Sequence, residues 1–363
     1  MYYGKTVIDV HGHMSSPPHF RAHAYNMIAL RTGGSDRIEI PEAAMKQAIE
    51  RHLRIIDACS VDIQLISPRP VAMMHWERPF LVESWTRITN NVIADQCRQY
   101  PKRFRGVAQL PQTRDLNIAR CVTELERCVQ ELGFVGAILN PDPGADRSAP
   151  GLNHEAWFPL YAAAEKLQAT LVVHPSISHD PRLDGIPHSY QYNNVTEETL
   201  ATLLLEQGDV FKRFPTLKIV VCHCGGAGRR LLELGSKLDA NNPSRGDDNV
   251  VRPTGERGGG SGGPPPAYAE PPDVSANLFF DTCCYDPWSL GAAIRQRGVS
   301  QMVFGTEAPG SGSAQRNPLT GRPAEDVLAL IETLDFLTVE QKIDMVHNNP
   351  RRVFPLLEKY PID

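Results

Sequence analysis

The sequence predicts an α/β fold of the (β/α)8 TIM-barrel type, on three observations. About eight short apolar segments rich in β-branched residues alternate with amphipathic helical segments, the pattern of parallel strands joined by crossover helices. Eight such units close a barrel. The competing doubly wound open sheet calls for a glycine-rich first turn, whereas the turn here reads Ser15-Ser16-Pro17-Pro18.

The first strand, Val7 to Val10, runs into His11-Gly12-His13 and a long loop. Pro41 to Cys59 is a helix whose proline suits a first turn, with Ala44, Ala48, Ile49, His52, Ile55 and Ile56 on its apolar face. Val61 to Ile66 is a strand, stopped by Ser67-Pro68-Arg69-Pro70, and Trp85 to Tyr100 a helix ended by Pro101. Arg105 to Leu110 is the next strand. Asn117 to Leu132 is a strongly periodic helix, closed by Gly133 as a left-handed cap. Strands then follow at Val135 to Leu139, Thr170 to Val173, Leu217 to Val221, Leu278 to Asp281 and Met302 to Phe304. Helices fall between them at Ala156 to Leu167, Thr196 to Glu206, Arg229 to Leu238 and Pro287 to Arg297, and the tail is helical over Glu325 to Leu334 and Val339 to His347. Asn241 to Pro272 breaks the alternation. Rich in proline, glycine and charge, it cannot bury apolar area and reads as a flexible insertion before the seventh or eighth strand, within one barrel domain spanning 1–363.

Composition narrows the function. Apolar residues at 41% support a sizeable core, and a formal charge of -5 leaves no basic footprint for nucleic acid. No apolar run is long enough to span a bilayer, and no signal segment opens the chain, so a cytoplasmic protein with reduced thiols is expected. Cys222-His223-Cys224 and Cys283-Cys284 lack the two-to-four residue gap of structural zinc motifs, which favours buried thiols over a zinc site.

Polar residues gather at strand ends: His11 and His13 after the first, His174 after a middle one, His223 after the next and Glu307 after the last. In a barrel these ends share one mouth. Residues i and i+2 of a strand point to one side, so His11 and His13 can face one ion, and Gly12 lets the backbone lie close to it. Three imidazoles and a carboxylate suit one divalent metal, zinc before manganese, with an open position for a water whose pKa falls to roughly 7. His223, followed after Cys224 by Gly225-Gly226, reads as a further ligand or as a general acid/base; the second role is favoured because four ligands already suffice. The glycines would let backbone approach a ligand closely. Arg69 and His75 follow the second strand on the same face. The arginine suits a substrate carboxylate held by two hydrogen bonds, or a surface salt bridge, and Arg229 carries the same alternatives. Asn140 would hydrogen-bond substrate or cap its turn.

These residues resemble the amidohydrolase superfamily, in the branch of the aminocarboxymuconate-semialdehyde decarboxylases, from His11 to Val353. The stretches that carry the likeness are Asp9-Val10-His11-Gly12-His13, Leu65 to Pro70 with Met73-Met74-His75, Leu139-Asn140-Pro141-Asp142-Pro143, Phe279-Phe280-Asp281-Thr282, Gly305-Thr306-Glu307 and Arg351-Arg352-Val353-Phe354. The resemblance implies a metal-dependent barrel with His11, His13, His174 and Glu307 as ligands and His223 as acid/base. A glutamate after the last strand resembles the branch's hydratases and C–C hydrolases, where the decarboxylases usually have aspartate. The Ser-Pro-Arg-Pro and Met-Met-His run looks nearer to the C–C hydrolases. Departures are Cys224 in place of the first of three glycines, Pro175 after His174, and the insertion. The expectation is therefore a hydrolase of a carboxylated, unsaturated ring-fission product. Metal-activated water would attack a carbonyl and a C–C bond would break, with Arg69 holding a carboxylate. Alternatives are a hydratase of an oxalomesaconate-like acid, a decarboxylase of an aromatic or muconate-type acid, and a non-catalytic metallo-barrel scaffold. The expected partner is a small dicarboxylate or aromatic-derived acid, without nucleic acid or membrane, in a homo-oligomer (dimer or tetramer).

Overall fold

The computed structural model describes residues 1–33, 38–178, 180–187, 189–226 and 277–361, and in it eight parallel strands run in chain order around a nearly closed barrel. They are β1 (Ile8–His13), β2 (Ile63–Ser67), β3 (Phe104–Ala108), β4 (Gly136–Leu139), β5 (Thr170–Val173), β6 (Ile219–Val221), β7 (Leu278–Asp281) and β8 (Met302–Val303). Each pairs in parallel with the next. The ring closes where the Val10 N–H donates to the Phe304 carbonyl at 2.9 Å. Every residue of every strand is buried, which is why the strands read as continuous apolar runs rather than alternating ones.

The barrel expected from the sequence is the one observed, with strand ends displaced by a few residues at most. Helix starts differ more. The helix before β3 begins at Pro79 rather than Trp85, and the one before β6 spans Ser189–Gln207 rather than starting at Thr196. The loop expected after β1 contains a helix, Pro18–Leu30, opened by Pro18 in its first turn. Its buried residues are only Phe20, Ala24 and Met27, and with Tyr25 and Leu30 exposed its apolar residues spread around the helix instead of marking one face. Residues 227–276 lie outside the described residues, and with them the expected helix Arg229 to Leu238, the 241–272 insertion and Arg229 itself. Among the described residues no helix is long and apolar enough to cross a membrane.

A buried polar chain ties the first strand to the last. Asp9 accepts from the Thr306 hydroxyl at 2.6 Å and from Gln64 Nε2 at 2.7 Å, and Gln64 Nε2 also donates to the Ala308 carbonyl. Burial lifts the Asp9 carboxyl to about 6, against the pull of Thr306 and Gln64. Gln64 can sit there only because position 12 lacks a side chain: a Cβ on Gly12 would lie 2.1 Å from Gln64 Cδ. Gly12→Ala is therefore expected to destabilise the fold by about 1–3 kcal/mol through overpacking. Thermal unfolding checks this, and an unchanged midpoint would refute it.

Candidate metal centre

The strand ends bring four histidines into one cluster. Ring centroids stand 5.3 Å apart for His11 and His13, 5.1 Å for His11 and His174, and 5.2 Å for His174 and His223. Each ring is held through Nδ1. His11 donates to Asp281 Oδ2 at 2.7 Å, His174 to the Pro175 carbonyl at 2.7 Å, and His223 to Glu198 Oε1 at 2.7 Å. His13 donates to Ser67 Oγ at 3.0 Å, because the Ser67 hydroxyl proton goes to the Gly12 carbonyl. That network leaves the Nε2 lone pairs facing inward, the tautomer a metal-ligating imidazole needs. Nε2 of His11 and of His174 are both buried without a hydrogen-bond partner. Two buried, unpaired acceptors in one cluster cost about 1–3 kcal/mol each unless something occupies the point between them.

Glu307 joins the cluster from the loop after β8. Its donor oxygen, His13 and His174 lie within 4.8 Å of one another, as do the nitrogens of His11, His174 and His223. Glu307 Oε1 is 4.0 Å from His13 Nε2, while Oε2 accepts from the Tyr285 hydroxyl at 2.9 Å and from Ser311 Oγ at 3.0 Å. This nitrogen and carboxylate set fits a divalent cation of the zinc or manganese type. Burial, reinforced by neighbouring histidines, holds His13 and His174 well below the ordinary histidine range. At His11 burial is outweighed by Cys222 and the Asp281 carboxylate, and at His223 by Glu198 and Cys283, so both are raised. The Asp281 and Glu198 carboxylates behind these two rings make the point between them favourable for positive charge, which a cation there would supply. Burial also lifts Glu198 to about 7, opposed by His223.

The other residues singled out in the sequence fare unequally. Arg69 is half-buried and donates to Ser16 Oγ at 3.0 Å and the Pro309 carbonyl at 3.2 Å, two residues from Glu307. His75 and Asn140 are buried and bonded to each other, Asn140 Nδ2 donating to His75 Nδ1 at 3.0 Å. His75 Nε2 donates to the Leu110 carbonyl, so both ring nitrogens are taken within the protein, and burial drops the ring to about 3. The glycines after His223 serve packing: a Cβ on Gly226 would lie 2.3 Å from Thr199 Oγ1 and 2.7 Å from the Val195 carbonyl. That close approach seats the loop on the helix Ser189–Gln207, which carries Glu198. All eight cysteines are free.

Asp281 and Glu198 were missed as site residues. Asp281 ends β7, so the strand-end argument that found the histidines reaches it too. Glu198 lies inside a helix, and nothing in its local sequence marks it. Beside the cluster lies a cavity of about 500 Å³, lined among others by Tyr190, His223, Cys283, Tyr285, Arg297 and Glu307, a size suited to a small ligand.

The profile of the amidohydrolase family matches residues 8–356. The chain belongs to the amidohydrolase family. It is 30% identical to a 2-keto-4-carboxy-3-hexenedioate hydratase of a Sphingobium species, over 97% of both chains. It is 32% identical to a 2-amino-3-carboxymuconate-6-semialdehyde decarboxylase of Dictyostelium discoideum, over 46% of this chain and 45% of that one. Among solved structures it is similar to the 4-oxalomesaconate hydratase of Rhodopseudomonas palustris, with a TM-score of 0.75 and 26% identity, covering 98% of this chain and 97% of the other.

Proposed function

We propose that this amidohydrolase-family chain is a hydratase. It adds water across a carbon–carbon double bond of an unsaturated, multiply carboxylated acid, and His11, His13, His174 and Glu307 hold one divalent metal, zinc or manganese. The observation that carries the reaction class is end-to-end likeness to two hydratases at 30% and 26% identity, whereas decarboxylases match at about 30% identity over less than half of the chain and over most of it only at 22% or below. The orphaned Nε2 atoms of His11 and His174 support the cation. Bound there, such an ion supplies Lewis-acid charge and brings the pKa of a water to roughly 7.

The protein's own groups then divide the work. Hydration puts a hydroxyl on one alkene carbon and a proton on its neighbour. His223, oriented by Glu198, is the group in position to take a proton and return it. Arg69 holds a substrate carboxylate near Glu307. Tyr285 and Ser311 keep Glu307 Oε2 in place. C–C hydrolysis remains the second reading, on the Ser67-Pro68-Arg69-Pro70 and Met73-Met74-His75 pattern.

Incubation with 2-keto-4-carboxy-3-hexenedioate, followed by mass spectrometry, separates the readings. The expected product is the intact acid plus one water; two fragments or loss of carbon dioxide would sink the hydratase assignment. His223→Asn is expected to lower turnover by about 10²–10⁴ with metal content unchanged. Lost metal in that variant would make His223 a ligand instead.

A further inference from the structure

Cys283 is a thiol at this centre to which neither the histidine cluster nor the hydration chemistry gives a task. Its backbone N–H donates to Asp281 Oδ1 at 3.0 Å, which fixes the residue just past β7, and its sulfur lies 3.8 Å from the Tyr285 hydroxyl. Tyr285 in turn donates to Glu307 Oε2. The Tyr285 hydroxyl thus links the sulfur to Oε2 of that carboxylate, whereas Oε1 faces His13. Donor atoms of His223, Cys283 and Glu307 lie within 4.8 Å of one another, as do those of His13, His174 and Glu307. Glu307 thus belongs to two groups of three donors, one of nitrogen and oxygen alone and one that contains sulfur.

We propose that His223, Cys283 and Glu307 form a second cation site, selective for soft, thiophilic ions such as cadmium or excess zinc, and that filling it inhibits the enzyme. Thiolate donors prefer soft ions, while imidazole and carboxylate groups accept harder ones such as manganese, so the two groups differ in what they select. All three second-site residues line the cavity, which gives an ion a route in from the open side. Inhibition follows because His223 cannot move protons while its ring nitrogen is ligated. Only that last step rests on the function proposed above.

The test loads the protein with manganese and titrates it with cadmium, following thiolate-to-cadmium charge-transfer absorbance together with turnover. The wild type is expected to develop the band with one added equivalent, to keep its manganese and to lose turnover in step. Cys283→Ser keeps a hydroxyl for Tyr285 but offers no thiolate. It should lose the band and need at least roughly tenfold more cadmium for half-inhibition, no less than the loss of an outer-sphere partner costs. Cys283→Ala should behave alike. A band that survives in both variants, no second equivalent in the wild type, or cadmium that displaces manganese instead of adding to it would overturn the proposal. Failure to take up manganese at the outset counts against the histidine centre alone, since the band reports on Cys283.

Discussion

His13→Ala is expected to strip the protein of its divalent metal and to cut turnover at least about a thousandfold. A catalytic cation contributes several kcal/mol of charge stabilisation, and each 1.36 kcal/mol is a factor of ten, roughly. His13 is the sharper choice among the cluster because its two sides do different work. Nδ1 rests on Ser67 Oγ, which also secures the Gly12 carbonyl, and Nε2 is directed at Glu307. Alanine leaves the Ser67 to Gly12 hydrogen bond intact, so the β1–β2 junction survives while one inward donor disappears. Elemental analysis of the purified variant, beside circular dichroism to show that it folds, provides the check. A folded His13→Ala with full metal content would remove His13 from the ligand set and leave the cluster without a reason for its unpaired nitrogens.

Much of this centre was legible in the chain because a barrel converts one-dimensional position into convergence. His11 and His13 share a strand face, and His174, His223 and Glu307 each follow a run of apolar residues that can only be a buried strand, so all five must meet at one mouth. The orientation of the His174 ring, held by the adjacent Pro175 carbonyl, is local. That of the His11, His13 and His223 rings was not legible. It depends on partners far away in sequence: Asp281 is 270 residues from His11, and Glu198 reaches His223 from the middle of a helix packed through Gly226. His75 and Asn140 show a different outcome, with Asn140 Oδ1 capping its turn by accepting from the Asp142 N–H. Both sit after strands, as a substrate-binding residue would, but they meet each other 65 residues apart and satisfy one another in the interior. Strand-end position tells which residues face the mouth. It does not tell which of them keep a free polar atom there.

Asp281→Asn should weaken metal binding about 10–100-fold while the chain still folds, although Asp281 stands outside the proposed ligand set. Its carboxylate is fully buried and accepts on both oxygens, Oδ2 from His11 Nδ1 and Oδ1 from the backbone N–H groups of Cys224 and Cys283. Burial pushes this carboxyl up, but the His11 ring, with His223 and the Cys283 N–H, outweighs it and holds the group below its ordinary range. Asparagine offers one acceptor where aspartate offers two. If its oxygen stays with the two backbone donors, its NH2 must face His11 Nδ1, and the imidazole has to move its proton to Nε2. The nitrogen that should carry a lone pair toward the cluster then carries a hydrogen, as in any site where the orienting acid of a histidine is amidated. If the amide flips, His11 keeps its tautomer but two buried N–H groups lose their acceptor, at about 1–3 kcal/mol each. The first arrangement costs less and is the one expected. Nitrogen-15 NMR of the histidine rings would show the His11 tautomer directly, alongside a metal-binding isotherm. Unchanged affinity with an unchanged tautomer would mean that Asp281 only staples β7 to the His223 loop, and that some other contact sets the direction of His11.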